Sequence, residues 1–161
     1  MKKKKTICID FDGVIHDYKD GWQGDDKFGE MIPGADTATE ILKKKGWTVI
    51  IYTTRPATDK LKEWLKDKGV KYDYINENPD QPENSKDGKI VADIYLDDRA
   101  ICFKGEWGWI MSEIAEFEPW QVREGKDAKE KKLMKSYEQG ERWKAEREGT
   151  LKALDNVASA Y

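Results

Sequence analysis

Apolar residues along this chain come in short runs that stop abruptly at polar clusters. Ile7, Cys8 and Ile9 form the first run and predict a short buried strand, broken by Gly13. A second run, Trp47 to Tyr52, ends in Thr53-Thr54-Arg55-Pro56; a third, Tyr72 to Ile75, ends in Asn76; a fourth, Asp93 to Leu96, ends in Asp97-Asp98-Arg99. Helix-like stretches lie between them, over Asp36–Lys45 and Thr58–Lys68, closed by Gly46 and Gly69. Strands alternating with glycine-closed helices are the pattern of a parallel sheet. The expected fold class is therefore α/β, a three-layer Rossmann-like architecture. In such a sheet all strand ends emerge at one edge, where open α/β folds hold ligands. That edge would carry Asp10/Asp12, Thr53/Thr54/Arg55 and Asp97/Asp98, with Lys86 and Lys89 just before the fourth strand.

Past the fourth strand, Ile101-Cys102-Phe103 reads as a fifth strand. A helix follows the turn at Gly105, with Trp109, Ile110, Ile114, Ala115 and Phe117 available to its buried face and Pro119 as its stop. Two regions result: 1–118 as the α/β domain and 119–161 as a charged helical C-terminal extension. In the extension Lys and Glu dominate, and scattered apolar residues such as Leu133, Trp143 and Leu154 suggest amphipathic helices interrupted at Gly140 and Gly149. It has three open uses: an extra helix on the domain, an oligomer contact, or a cover for the site. Residues 15–33 lie between the first acidic loop and the first helix and read as a short flap. Trp22 and Phe28 are its rings for packing or for stacking on a base.

Two carboxylates one residue apart repel each other, and a divalent cation with oxygen ligands is the natural compensator. The whole set suits phosphoryl transfer. A carboxylate nucleophile and a phosphate repel by about 4 kcal/mol per unit-charge pair at ~4 Å and an effective dielectric near 20. A metal ion, an ammonium group and hydroxyl donors remove that barrier. An EF-hand fails on spacing, because its glycine belongs at the sixth loop position and here Gly13 is fourth after a strand. A response-regulator receiver also combines acids, Thr and Lys, but places its paired acids at the first strand.

The strings Asp-Phe-Asp-Gly-Val (10–14), Ile-Ile-Tyr-Thr-Thr-Arg (50–55), Lys89 and Tyr-Leu-Asp-Asp-Arg-Ala (95–100) resemble, in order, the four motifs of the haloacid dehalogenase-like (HAD) hydrolases. The resemblance spans roughly residues 5–118 and points to the small-cap or capless phosphatase type. It implies Asp10 as nucleophile, and Asp12 as general acid and base that also touches the metal through its main-chain carbonyl. It implies Thr53 as phosphoryl ligand with Thr54 as its rival, and Lys89 as the neutralising cation with Lys86 as the alternative. Asp97 and Asp98 would complete a Mg²⁺ site. Arg55 reads either as a partner for local acids or as a contact to an anionic substrate, and Trp22 as a candidate substrate contact; the substrate would be a phosphorylated small molecule or a nucleic-acid end, with a nucleotide favoured. A family proline after the lysine is replaced by Ile90.

Composition narrows this picture without changing it. The chain has 161 residues, a net charge of −3 and one histidine, His16, so neither a Ser-His-Asp triad nor a histidine-rich metal site can be built. No apolar run is long enough for a membrane span and no secretory leader is visible, which places the expected protein in the cytoplasm. Lys2–Lys5 read as a solvated lead-in to the first strand. Cys8 and Cys102 both fall on expected strands and read as buried thiols. Two alternatives to a phosphatase stay open: a catalytically silent HAD-like binding module acting through its C-terminal helices, and phosphoryl transfer to an acceptor other than water.

Overall fold

The computed structural model describes residues 4–85 and 88–121. The elements run β1 (Thr6–Ile9), α1 (Ala35–Lys44), β2 (Thr48–Ile51), α2 (Asp59–Asp67), β3 (Tyr74–Ile75), a 3₁₀ turn (Glu83–Ser85), β4 (Ile94–Leu96) and α3 (Trp107–Glu116). The four strands form one parallel sheet in the order β3-β2-β1-β4. This is the expected Rossmann-like α/β arrangement. Lys86 and the expected C-terminal helices over 122–161 lie outside the described residues.

The two central strands are the most buried because both their faces are covered, and their sequences are correspondingly apolar throughout. Each step from β1 through α1 to β2, and from β2 through α2 to β3, moves the same way across the sheet. Right-handed crossovers then put α1 and α2 on one face. The backbone N–H of Lys71, just past α2, donates to Thr39 Oγ1 of α1 at 3.0 Å. Side chains alternate between faces along each strand. Cys8 and Ile50 take the face opposite the helices, where they pack with Ile90 and the half-buried Tyr52, Tyr74 and Tyr95. Burial pushes the Cys8 thiol up to about 11, so it behaves as a small core hydrophobe. Helix α2 begins where Thr58 accepts a hydrogen bond from the Leu61 N–H at 3.2 Å and buries Leu61 and Leu65.

The expected fifth strand does not form, and residues 101–103 are irregular. Only Asp97–Ala100 separate them from β4, far short of the crossover a parallel partner requires. In consequence Cys102 is exposed, against the expectation of a buried thiol. Helix α3 buries Ile110, while Ile114 and Ala115 of its expected apolar face are exposed. The Trp109 side chain lies outside what the structure describes. No helix among the described residues is long and apolar enough to cross a membrane.

Candidate active site

The sheet delivers four polar loops to one edge. The Asp10 N–H donates to Leu96 O of β4 at 2.8 Å, the Tyr52 N–H to Ile9 O at 2.8 Å, and the Asn76 N–H to Ile51 O at 2.9 Å. These are the last rungs of the ladders, so Asp10, Thr53, Asn76 and Asp97 all leave their strands together. Asp10, Asp97 and Asp98 converge: each offers a carboxylate oxygen, and the three oxygens lie within 4.8 Å of one another.

The loop after β1 is built around Gly13. Its φ of 89° lies in the left-handed region, and a Cβ there would stand 2.5 Å from Asp98 Oδ2. Only a glycine lets the loop after β1 and the Asp98 loop approach so closely. Phe11, between the two aspartates, is fully buried; it stacks on His16 with centroids 5.1 Å apart and meets Trp64 and Phe28 edge-on. Anchoring Phe11 inward turns its neighbours Asp10 and Asp12 towards the edge.

The electrostatics separate the two aspartates. Burial raises Asp10 to about 7; a hydrogen bond from the Phe11 N–H opposes this, and the charges of Asp97, Asp98 and Asp12 add to it. Burial would also raise Asp12, but hydrogen bonds from His16 and Arg55 outweigh it and hold that carboxyl below the usual range. Asp98 is raised, mainly by burial, and its Oδ1 is buried with no hydrogen-bond partner among the described residues. An orphaned carboxylate oxygen beside two converging carboxylates fits a hard divalent cation. Asp10, Asp97 and Asp98 would hold it. Added Mg²⁺ is expected to raise Tm by several degrees, and Asp98→Asn to remove most of that rise; thermal melts with and without Mg²⁺ measure it.

Sequence-derived expectations for the other residues divide. Thr53 is buried; its N–H donates to Asn76 Oδ1 at 2.8 Å and its Oγ1 accepts from the Arg55 N–H at 3.2 Å, which leaves the hydroxyl proton to donate. Thr54 is exposed beside it. Arg55, which the sequence leaves between a local-acid partner and a substrate contact, is 1% exposed. Its Nε donates to both Asp12 oxygens, at 3.0 and 2.8 Å, and its Nη1 to the flap carbonyls of Gly24 (2.8 Å) and Asp25 (3.0 Å). Asp12 thus spends its carboxylate on Arg55 and His16, outside the trio of converging acids. Lys89 sits with its ammonium 4.0 Å from the Tyr95 ring centroid, and among the described residues it makes no ion pair with a carboxylate.

The flap is seated on the domain. Its two legs pair where the Asp17 N–H donates to Glu30 O (2.8 Å) and the Ile32 N–H to Ile15 O (2.7 Å). Thr58 donates to Asp26 at 3.0 Å and Lys68 to Glu30 at 2.9 Å, which pins it to α2. Phe28 packs against Phe11 and Trp64. Trp22 is different: its ring lies 4.5 Å over the Arg55 guanidinium and is still 52% exposed.

Three residues of the site escaped the sequence reading. Asn76, at φ 55°, fixes the loop after β2 by accepting from the Thr53 N–H and donating to Arg55 O at 3.2 Å. Its signal was available, since Asn at a strand end tolerates the left-handed region. Trp120 donates its indole N–H to Gly13 O at 2.7 Å across 107 residues, a contact with no local signal. His16 donates to Asp12 Oδ1 at 2.8 Å.

No family model and no curated protein matches this chain. Among solved structures, it is similar to a conserved protein from Bacteroides thetaiotaomicron, with 26% identity over 73% of this chain and 95% of that one, at a TM-score of 0.50. A D,D-heptose 1,7-bisphosphate phosphatase from B. bronchiseptica, complexed with magnesium and phosphate, overlaps 50% of this chain and 53% of its own, with 25% identity and a TM-score of 0.33.

Proposed function

We propose that the protein is a Mg²⁺-dependent phosphatase of the HAD-like type that hydrolyses a phosphate monoester through a phosphorylated Asp10. The observation that carries this reading is the convergence of the Asp10, Asp97 and Asp98 oxygens within 4.8 Å. That trio stands at the edge where Asp12 and Thr53 also emerge.

In the first step an Asp10 carboxylate oxygen bonds to phosphorus as the bond from phosphorus to the ester oxygen breaks. The departing oxygen takes a proton from Asp12. In the second step water attacks the phosphorus of the aspartyl phosphate, Asp12 accepts the water's proton, and inorganic phosphate leaves as the Asp10 carboxylate is regenerated. Thr53 donates its hydroxyl to the transferring group. Lys89 supplies positive charge once its side chain leaves the Tyr95 ring. A bound Mg²⁺ supplies the charge neutralisation that lets an anionic carboxylate meet an anionic ester. Arg55 and His16 hold Asp12 ionised before substrate arrives, so the first step requires Asp12 to take up a proton from solvent or from a monoanionic phosphate ester as the substrate binds, whereas the ionised form serves the proton-accepting second step directly.

We favour a nucleotide or nucleic-acid phosphate as substrate. Trp22 supports this choice: Arg55 backs one side of its ring, while the ring remains 52% exposed and can stack on a base. The test is turnover of an aryl phosphate with and without Mg²⁺, followed by nucleotides, sugar phosphates and phosphorylated oligonucleotides. Mg²⁺-dependent release of phosphate is expected; inactivity across the set favours a binding module instead. Trp22→Ala is expected to raise KM for the best nucleotide by roughly 5- to 100-fold, the equivalent of about 1–3 kcal/mol of stacking, with aryl phosphate turnover preserved. Equal KM values in the two proteins would show that the ring only packs.

A further inference from the structure

We infer that His16 is a positioning residue for Asp12, and that it ties the orientation of that carboxylate to the seating of the flap. The inference rests on the phosphatase reading for its catalytic consequence, but its structural core can be tested without activity.

His16 is 3% exposed and both its ring nitrogens are engaged. Nε2 receives the backbone N–H of Gly29, on the far leg of the flap, at 2.5 Å. A backbone N–H can only donate, so Nε2 must be the bare acceptor nitrogen. The ring proton then resides on Nδ1, which lies 2.8 Å from Asp12 Oδ1 and donates to it. One neutral imidazole therefore bridges a flap amide and the proposed acid/base. The ring is also clamped mechanically: it stacks on Phe11 at an interplanar angle of 4°, and Trp64 and Phe28 stand edge-on to it at centroid distances of 5.9 and 6.2 Å. Gly29 permits this approach, since a Cβ there would lie 3.0 Å from Asp17 O and 3.4 Å from Nε2.

Arg55 alone leaves the orientation of Asp12 under-determined. Its Nε contacts both carboxylate oxygens, so it holds the group without distinguishing one oxygen from the other. His16 contacts Oδ1 only and breaks that equivalence. Displacement of Gly29 removes one of the two hydrogen bonds that fix the ring's orientation, the other being the one to Asp12 Oδ1 itself, and frees the ring to shift against the carboxylate. Flap seating is thereby read at the carboxylate through two hydrogen bonds.

His16 is the chain's sole histidine, which makes the test clean. Nitrogen-15 NMR of histidine-labelled full-length protein at mildly alkaline pH is expected to show a protonated Nδ1 and a bare Nε2, the reverse of the preference of free imidazole side chains. The Nδ1 proton signal should move in Asp12→Asn. In turnover, His16→Ala is expected to lower kcat by roughly 10- to 100-fold with KM within about twofold, part of the ~10²–10⁴ that acid/base catalysis supplies. His16→Asn places an amide donor where Nδ1 stood and should recover most of that loss. His16→Gln places it at the Nε2 position and should not. A proton on Nε2 overturns the inference, as does a wild-type kcat in His16→Ala. So does equal impairment of Asn and Gln variants that tracks their loss of Tm, since that marks a purely structural ring. A wild type inert towards every phosphate sinks the phosphatase reading instead, and the spectrum still decides whether His16 links Asp12 to the flap.

Discussion

Asp10→Asn is expected to lower turnover by on the order of 10⁴-fold or more while the protein stays folded, because in the proposed mechanism Asp10 forms the covalent bond to phosphorus. Steady-state kinetics with an aryl phosphate in saturating Mg²⁺ measure this, and circular dichroism checks the fold. The same substitution carries a second expectation, in the metal-free protein. The folded chain holds Asp10 at about 7 against an ordinary value of 3.8. Between those two pH values the folded state retains a proton that the unfolded chain has already released. Stability must then fall as pH rises through that window and level off above it. Asparagine carries no charge to bury, so with chelator present Asp10→Asn should melt higher than wild type above pH 7. The gap should narrow as pH falls through this window and close only below the ordinary value of 3.8, where wild-type Asp10 is neutral in both states. Added Mg²⁺ is expected to reverse the order, since a cation held by the charged wild-type carboxylate inverts the local pKa logic. A variant that melts lower than wild type in chelator would show that the Asp10 charge is not strained.

Gly13→Ala is the second substitution with a large expected effect, and it acts without removing any chemical group. Two costs fall on one methyl. The backbone at φ 89° is strained for any residue with a Cβ, by about 1–3 kcal/mol. The Cβ would also lie 2.5 Å from Asp98 Oδ2 and 2.7 Å from its Cγ, so the Asp98 carboxylate must move. Moving it takes one of the three converging oxygens out of the trio. We expect weaker Mg²⁺-induced stabilisation, at least about a hundredfold lower kcat from the displaced loop, and a lower Tm in chelator. Isothermal titration with Mg²⁺ and thermal melts separate the two costs. Unchanged metal affinity beside a reduced Tm would confine the effect to backbone strain. Asp98 lies on the far side of the sheet pairing from Gly13 in sequence, so this coupling is a property of the folded edge alone.

The sheet was legible because its evidence is local. Ile7-Cys8-Ile9 and Val49-Ile50-Ile51 are continuous apolar runs, which is what burial on both faces demands, and Gly46 and Gly69 mark where the helices stop. The acids of the site were legible for the same reason: Asp10 and Asp97 immediately follow a strand, Asp98 is the next residue, and a parallel sheet sends all such positions to one edge. Ile101–Phe103 misled because apolar composition alone does not create a strand; a pairing partner must be reachable, and the four residues after β4 do not reach one. Arg55 carried two readings, and the structure shows the pairing with a local acid, Asp12. An arginine beside a phosphate-site threonine suggests a substrate contact, yet its burial and its fork on Asp12 depend on the flap folding back over it.

By itself the sequence determined the order of β1 to β4 and of the helices between them, the edge that collects the polar loops, and the candidate residues for phosphoryl chemistry there. Each of these follows from patterns within about a dozen neighbours: periodicity, turn residues and the stop of an apolar run. Only the tertiary structure decided how the carboxylates are distributed. It grouped Asp10 with Asp97 and Asp98, gave Asp12 to Arg55 and His16, turned Lys89 onto Tyr95, and brought Trp120 to Gly13. Those outcomes depend on competition among donors and acceptors far apart in the chain. Such competition is settled by distance and burial once the core has closed, and no local pattern encodes it.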